Sequence, residues 1–229
     1  MPNSIFDIMG PIMIGPSSSH TAGAARLGKM AYKLSGGDVA QADIYLHGSF
    51  AATYRGHGTD KALVAGLLNL SPWDERLRDA FSLAEERGLS YRFIPTDLGD
   101  VHPNTVRFVI TGHNGDQSEI MGSSIGGGQV VVSEIDGLRV RFTGERPILI
   151  TRHADTPGVI SAIATLLYER NINIGNMTVN RSRQDHAASM YIEIDSLCQE
   201  DLTSRIRQIP GILRVKLLLP IEERLPAQF

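Results

Sequence analysis

The sequence carries a single cysteine, Cys198, among its 229 residues. One thiol can form neither an internal disulfide nor a multi-thiolate metal centre, so neither can anchor this chain by itself. Blocks of one charge are missing too. There are 22 lysines and arginines against 25 acidic residues, a formal net charge of −3, and no Lys/Arg run offers a footprint for nucleic acid. No stretch approaches the roughly 20 apolar residues of a membrane span. The opening MPNSIFDIMG has neither the basic region nor the unbroken apolar run of a secretory signal, and a cytoplasmic chain is the expectation. Histidines and carboxylates nowhere fall at the spacing of a zinc or calcium site. The glycine-rich stretches match neither the P-loop nor the dinucleotide pattern, and there is no internal repeat.

What remains is an ordinary globular balance, 42% hydrophobic and 21% charged, in two textures. Up to about Arg146, glycine motifs (SGGD, GHGTD, ITGHNGD, SSIGGGQ) interrupt short periodic segments. TAGAARLGKMAYKL and TDKALVAGLLNL have helical spacing, while ADIYLHGSF, YRFIP, TVRFVIT, QVVVSEID and LRVRFT read as strands, which predicts an α+β domain over 1–146. From Pro147 to about Pro220 the pattern becomes strand, helix, strand, strand, helix, strand. Thr156 is the expected N-cap and Pro157 the expected first residue of the first helix there, whose apolar face carries Val159, Ile160, Ile163, Leu166 and Leu167. The order βαββαβ predicts a ferredoxin-like domain over 147–220, with 221–229 as a tail.

Polar chemistry concentrates at two predicted helix starts. In GPSSSHT, Ser17, Ser18, Ser19, His20 and Thr21 crowd an end whose first amides are unpaired and whose dipole is positive. That end can receive a small carboxylate or phosphate, or Ser17 can simply cap the helix. GHGTD repeats the arrangement, with His57 between two glycines and Thr59-Asp60 opening a helix, where Asp60 reads as a first-turn acid. In HPNT, Asn104 either closes a turn or faces a ligand. GSSIGGGQ is weaker, a loop whose consecutive amides could cradle an oxyanion. His47, His113 and His186 are assigned to structure.

The blocks SIFDIMGPIMIGPSSSHTAGAARLG, HGSFAATYRGHGTDKAL, HPNT and SSIGGG resemble the beta part of the bacterial iron–sulfur L-serine dehydratases, and HADTPGVISAIATLLYERNINIGNM resembles an ACT domain. The resemblance spans nearly the whole chain. It implies an N-terminal domain similar to the allosteric substrate-binding domain of some phosphoglycerate dehydrogenases, followed by the ACT domain. It also implies an L-serine ammonia-lyase producing pyruvate and ammonia with a 4Fe-4S cluster that polarises the departing hydroxyl. Since cluster ligation uses cysteines and this chain has only Cys198, the resemblance implies a cysteine-rich alpha subunit as cluster-binding partner, without which the chain is inactive. Carried over residue by residue, it implies catalytic roles for His20 and His57. Substrate contacts fall to Ser18, Ser19, Thr21, Thr59, Asn104 and Thr105. Amino-acid effector binding falls to His153, Asp155, Gly158, Asn173 and Asn176 across a self-associated ACT pair. The competing expectation is a stand-alone amino-acid sensor without catalysis.

Overall fold

The computed structural model describes residues 15–182, 185–196 and 201–221. Cys198, the opening segment to Ile14 and most of the expected tail lie outside them. The chain divides into two compact units, 1–143 and 144–229. No helix among the described residues is long and apolar enough to cross a membrane.

In the first unit, a π-helical turn (Ser18–Ala22) runs directly into helix α1 (Gly23–Ser35). Strand β1 (Gln41–Leu46) follows, with Ala42, Ile44 and Leu46 all fully buried, as the alternation of QADIYL requires. The expected strand ADIYLHGSF ends there. Gly48 takes a left-handed φ of 54°, its backbone packs on Pro103, and the chain turns into the short helix α2 (Gly48–Thr53). Helix α3 (Thr59–Leu67), a 3-10 turn (Glu75–Asp79) and helix α4 (Ala80–Glu86) lead to β2 (Ser90–Pro95). β2 pairs parallel with β1, the arrangement that a crossover through helices permits. Strands β3 (Thr105–Thr111), β4 (Gln117–Gly126), β5 (Gln129–Ile135) and β6 (Leu138–Phe142) complete a six-stranded mixed sheet in the order β2-β1-β3-β4-β5-β6.

The stretch read as an oxyanion cradle belongs to β4. Ser123 and Ser124 pair with Val131 and Val130 of β5, and the Ser124 amide bonds the Asn104 carbonyl, so only Gly127 and Gly128 form the turn. A Gly/Ser-rich composition resembles a loop, but here the small residues admit helix α1 against the strand. A β-carbon on Gly23 would fall 2.0 Å from Ser124 Oγ, and one on Gly122 would fall 2.8 Å from Leu27 Cδ2.

The second unit contains β7 (Ile148–Ala154), α5 (Val159–Glu169), β8 (Ile174–Arg181), β9 (Ala187–Ile194), α6 (Leu202–Arg207) and β10 (Ile212–Leu218). Its antiparallel sheet has the order β10-β7-β9-β8, the ferredoxin-like arrangement expected from the strand–helix order. Leu149, Ile163, Met190, Ile192, Leu202 and Ile206 fill the core between sheet and helices. The helix α5 begins two residues later than its N-cap motif suggests. Gly158 sits at φ 99° as the N-cap, and the Thr156 amide closes a tight turn onto the Ala154 carbonyl instead of opening the helix.

Helices α1 and α3 cross almost backbone to backbone. A β-carbon on Gly66 would come within 2.2 Å of the Ala25 carbonyl oxygen, and one on Gly28 within 2.3 Å of the Leu63 oxygen. Neither contact can relax by side-chain rotation. Gly66→Ala is therefore expected to destabilise this unit by about 1–3 kcal/mol, whereas Gly56→Ala, whose nearest such contact is at 3.8 Å, stays near neutral. Trp73 is the only tryptophan and lies in this unit. Urea unfolding followed by its fluorescence measures the difference.

Candidate functional site

Ser17 caps the π-helical turn. Its hydroxyl accepts the His20 amide at 3.2 Å, and its carbonyl accepts the Thr21 amide at 2.9 Å. The capping expectation is thereby met, and the same geometry fixes a ring. His20 Nδ1 lies 3.1 Å from Ser19 Oγ, and its Nε2 lies 3.0 Å from Ser49 Oγ, so both ring nitrogens are engaged by hydroxyls. Phe50, fully buried, meets the imidazole edge-on at 5.4 Å between centroids. A π-helical turn at this point fits the general tendency of such irregular turns to mark functional sites.

His57 meets His20 from the other side, with ring centroids 5.1 Å apart at 80°. Thr21 Oγ1 donates to the His57 carbonyl at 3.4 Å, tying the two helix starts together. In contrast to His20, His57 is exposed and its ring nitrogens have no hydrogen-bond partner among the described residues. Two histidines in contact thus differ in availability, one locked between hydroxyls and one free. A cavity of about 310 Å³ opens beside them, lined by Thr21, His57, Gly58, Lys61 and Arg78 among others. Behind His57, Thr59 is fully buried at the start of α3, and its hydroxyl has no partner among the described residues. Asp60 follows it in the first turn. Burial pushes its carboxyl pKa up, opposed by the Lys61 amide, which donates to it at 2.8 Å.

The loop 102–105 closes the floor. Ser49 N donates to the Pro103 carbonyl at 2.8 Å, and the Asn104 amide donates to His102 Nδ1 at 3.1 Å. Asn104 Oδ1 is buried without a partner, while Thr105 is fully buried and its hydroxyl is within 2.7 Å of Ser123 Oγ and donates to the His102 carbonyl. Ser19, His20, Thr21 and His57 therefore meet directly; Ser18 shares their turn, Thr59 opens the helix after His57, and Asn104 and Thr105 belong to the loop that anchors Ser49. Sequence reasoning missed Ser49. A Gly-Ser pair directly after an alternating strand is a turn signal, and it was the only one available.

The second unit distributes its candidates differently. His153 is 2% exposed, with Nδ1 3.4 Å from Thr151 Oγ1. Burial holds its pKa low against the opposing pull of Asp155. Asp155 is paired with Arg181 at 2.6 Å, and Gly158 caps α5 nearby. Asn173 donates to Asp195 at 2.9 Å, and Asn176 pairs in register with Glu193. Through β9, His153 aligns with Ala188 and Arg181, whereas Asn176 aligns with Glu193 and Ile148. The two groups thus lie about 17 Å apart along the sheet, at opposite ends of β8. One copy does not bring them together.

No iron–sulfur cluster fits these residues. A cluster takes several thiolates, this chain has one cysteine, and the described residues hold no group of three or more His, Cys, Asp or Glu that could ligate a metal.

A ferredoxin-like unit, joined to a mixed α/β unit with a histidine pair at a helix mouth, defines a two-part protein of helix-covered sheets. Comparison with known proteins narrows it. Residues 4–88 match the family model "Serine dehydratase beta chain", and residues 148–211 match the ACT domain. The chain is 41% identical over 212 residues to the probable L-serine dehydratase beta chain of Bacillus subtilis, covering 93% of this chain and 96% of that one. It is also 41% identical over 204 residues to the L-serine dehydratase beta chain of Peptoniphilus asaccharolyticus, covering 89% and 92%. A D-3-phosphoglycerate dehydrogenase of Synechocystis is 28% identical over 193 residues, covering 82% of this chain but 34% of that protein. The chain belongs to the serine dehydratase beta-chain family and carries an ACT domain.

The histidine pair also has an electrostatic signature. Burial, reinforced by the charge of His57, holds His20 below its ordinary pKa of 6.5. The unfolded chain then binds the His20 proton at a higher pH than the folded chain does. His20's contribution to stability is complete above about pH 7 and is lost as pH falls through the unfolded pKa toward the lower folded value. His20→Gln is expected to flatten this dependence between about pH 7 and 5, read from Trp73-monitored urea midpoints. An unchanged slope would mean that His20 titrates alike in both states.

Proposed function

We propose that the chain is the beta subunit of a two-chain L-serine dehydratase, converting L-serine to pyruvate and ammonia together with a cysteine-rich alpha subunit. The 4Fe-4S cluster of the enzyme belongs to that partner, in keeping with the single cysteine here. The observation that carries the reading is the contact between a hydroxyl-locked His20 and a free His57 at the mouth of α1. L-Serine's carboxylate is received at the helix start beside Ser18, Ser19 and Thr21, where the helix dipole favours an anion. Thr59 and Asn104 each keep a buried oxygen with no partner among the described residues, and the reading gives these two to the substrate as well. Breaking the Cα–H bond needs a base, and departure of the β-hydroxyl then leaves aminoacrylate, which hydrolyses to the products. His57 is the available base, since its ring nitrogens carry no competing hydrogen bond among the described residues.

The ACT unit supplies regulation by an amino acid, with L-serine as the first ligand to test, and self-association. Strand β8 is a sheet edge, and Met177 on it is 43% exposed. Antiparallel pairing of two β8 edges would carry Asn173 and Asn176 of one copy toward His153, Asp155 and Gly158 of the other, closing the separation seen within one chain. The cytoplasm is the compartment this role requires.

Co-expression with the cysteine-rich alpha chain, followed by an anaerobic serine-to-pyruvate assay, tests the reading. Turnover is expected from the complex and not from this chain alone. His57→Asn should lower kcat by about a hundredfold or more, as loss of a general base does. Near-normal kcat in a folded variant would remove His57 from the chemistry, and turnover by the isolated chain would overturn the two-chain assignment. For regulation, Asp155→Ala is expected to shift serine activation or cooperativity, a coupling of about 1–3 kcal/mol, more than it changes the rate at saturation. Superimposable rate-versus-serine curves would reduce the ACT unit to a structural module.

A further inference from the structure

We infer that Ser49 is a positioning residue for His20, holding its ring in the Nε2–H tautomer at the end of a one-way chain of hydrogen bonds. The direction proposed here starts from the one donor in the chain whose polarity is fixed, the His20 backbone amide. That amide donates to Ser17 Oγ at 3.2 Å, so Ser17 has its own proton left to give. Ser19 Oγ lies 3.4 Å away, nearer than His20 Nδ1 at 3.5 Å. Ser19, having accepted, donates in turn to His20 Nδ1 at 3.1 Å. The loop has then returned to the residue where it began, with Nδ1 as an acceptor. A neutral imidazole with one acceptor nitrogen must carry its proton on the other, so Nε2–H donates to Ser49 Oγ at 3.0 Å. Burial and the neighbouring His57 charge favour the neutral ring that this argument needs. The Ser49 proton is the end of the chain.

The anchor on which this depends is itself held firmly. Ser49 N donates to the Pro103 carbonyl at 2.8 Å, Thr53 Oγ1 donates to the Ser49 carbonyl at 2.8 Å, and His47 N donates to the Thr105 carbonyl at 3.1 Å. Phe50, next in the chain, is fully buried against the same imidazole. Ser49 therefore arrives from a separate element, 29 residues away in sequence, and clamps a ring that its own helix turn could orient from only one side. The division of labour between the two histidines follows. His20 has no free nitrogen with which to act as a base, and His57 does.

The tautomer arm of the test uses this chain alone, while the kinetic arm rests on the dehydratase reading. In the full chain labelled with 15N-histidine, long-range 1H–15N spectra at about pH 8 report each ring's tautomer, with His20→Gln assigning the signal. The wild type is expected to show His20 as one Nε2–H tautomer. Ser49→Ala, which leaves Nε2–H without its acceptor and lets the Ser17 and Ser19 hydroxyls reverse, should give an averaged mixture, and Ser49→Thr, which keeps the hydroxyl, should restore the single form. An Nδ1–H ring in the wild type, or a Ser49→Ala spectrum identical to it, would overturn the inference. In the reconstituted complex, Ser49→Ala should lower kcat about tenfold with KM changed by less than about twofold, and Ser49→Thr should recover most of the rate. Wild-type kcat in the alanine variant of an active complex would overturn the positioning role. If even the wild-type complex turns over no serine, the dehydratase reading fails and the spectra still decide the assignment of Ser49.

Discussion

Everything in the first unit depends on how closely α1 and α3 can approach. With side chains of ordinary size at the crossing, the axes would separate by several ångströms, and the two helix starts would separate with them. Gly28 and Gly66 remove that spacing, leaving backbone against backbone. The Thr21 hydroxyl can then reach the His57 carbonyl, and the two imidazoles can touch. The site is thus a product of packing in the middle of two helices, although none of its polar groups lies there.

The second unit solves a different problem with similar parts. It too places polar groups around a helix start next to a glycine of left-handed φ, Gly158 before α5 as Gly58 before α3. But its carboxylate is neutralised in place by Arg181, and its histidine is turned into the core beside Thr151. A helix start with its charges already paired is suited to exchange of partners rather than to proton transfer. The two units therefore differ in the state of their side chains, and the backbone motif is common to both.

Much of this was legible in the sequence, where local pattern carries the information. The apolar spacing in α5 and the alternation of β1 report burial directly, and the clusters around Ser19, His20 and His57 stand out because such residues have little reason to gather at a helix start. What failed was set by distant contacts. Six residues of α2 carry no readable period, and they become helical because Gly48 packs on Pro103. β4 looked like a loop because its glycines and serines answer to the helix lying on it. Ser49 was missed for the same reason, its partner being far away in the chain. Asn173 and Asn176 are grouped with His153 and Asp155 by the resemblance, yet strand register sends them to the other end of the sheet.

The glycine crossing also acts as a ruler. His20 precedes Gly28 by nearly the same number of residues as His57 precedes Gly66, so the contact of the two rings is measured out from the crossing along both helices. Adding or deleting one residue within either interval would swing its histidine by about 100° around the helix axis and shift it by about 1.5 Å. Side chains over those turns can be exchanged while the rings stay in contact, but the two intervals must keep their length.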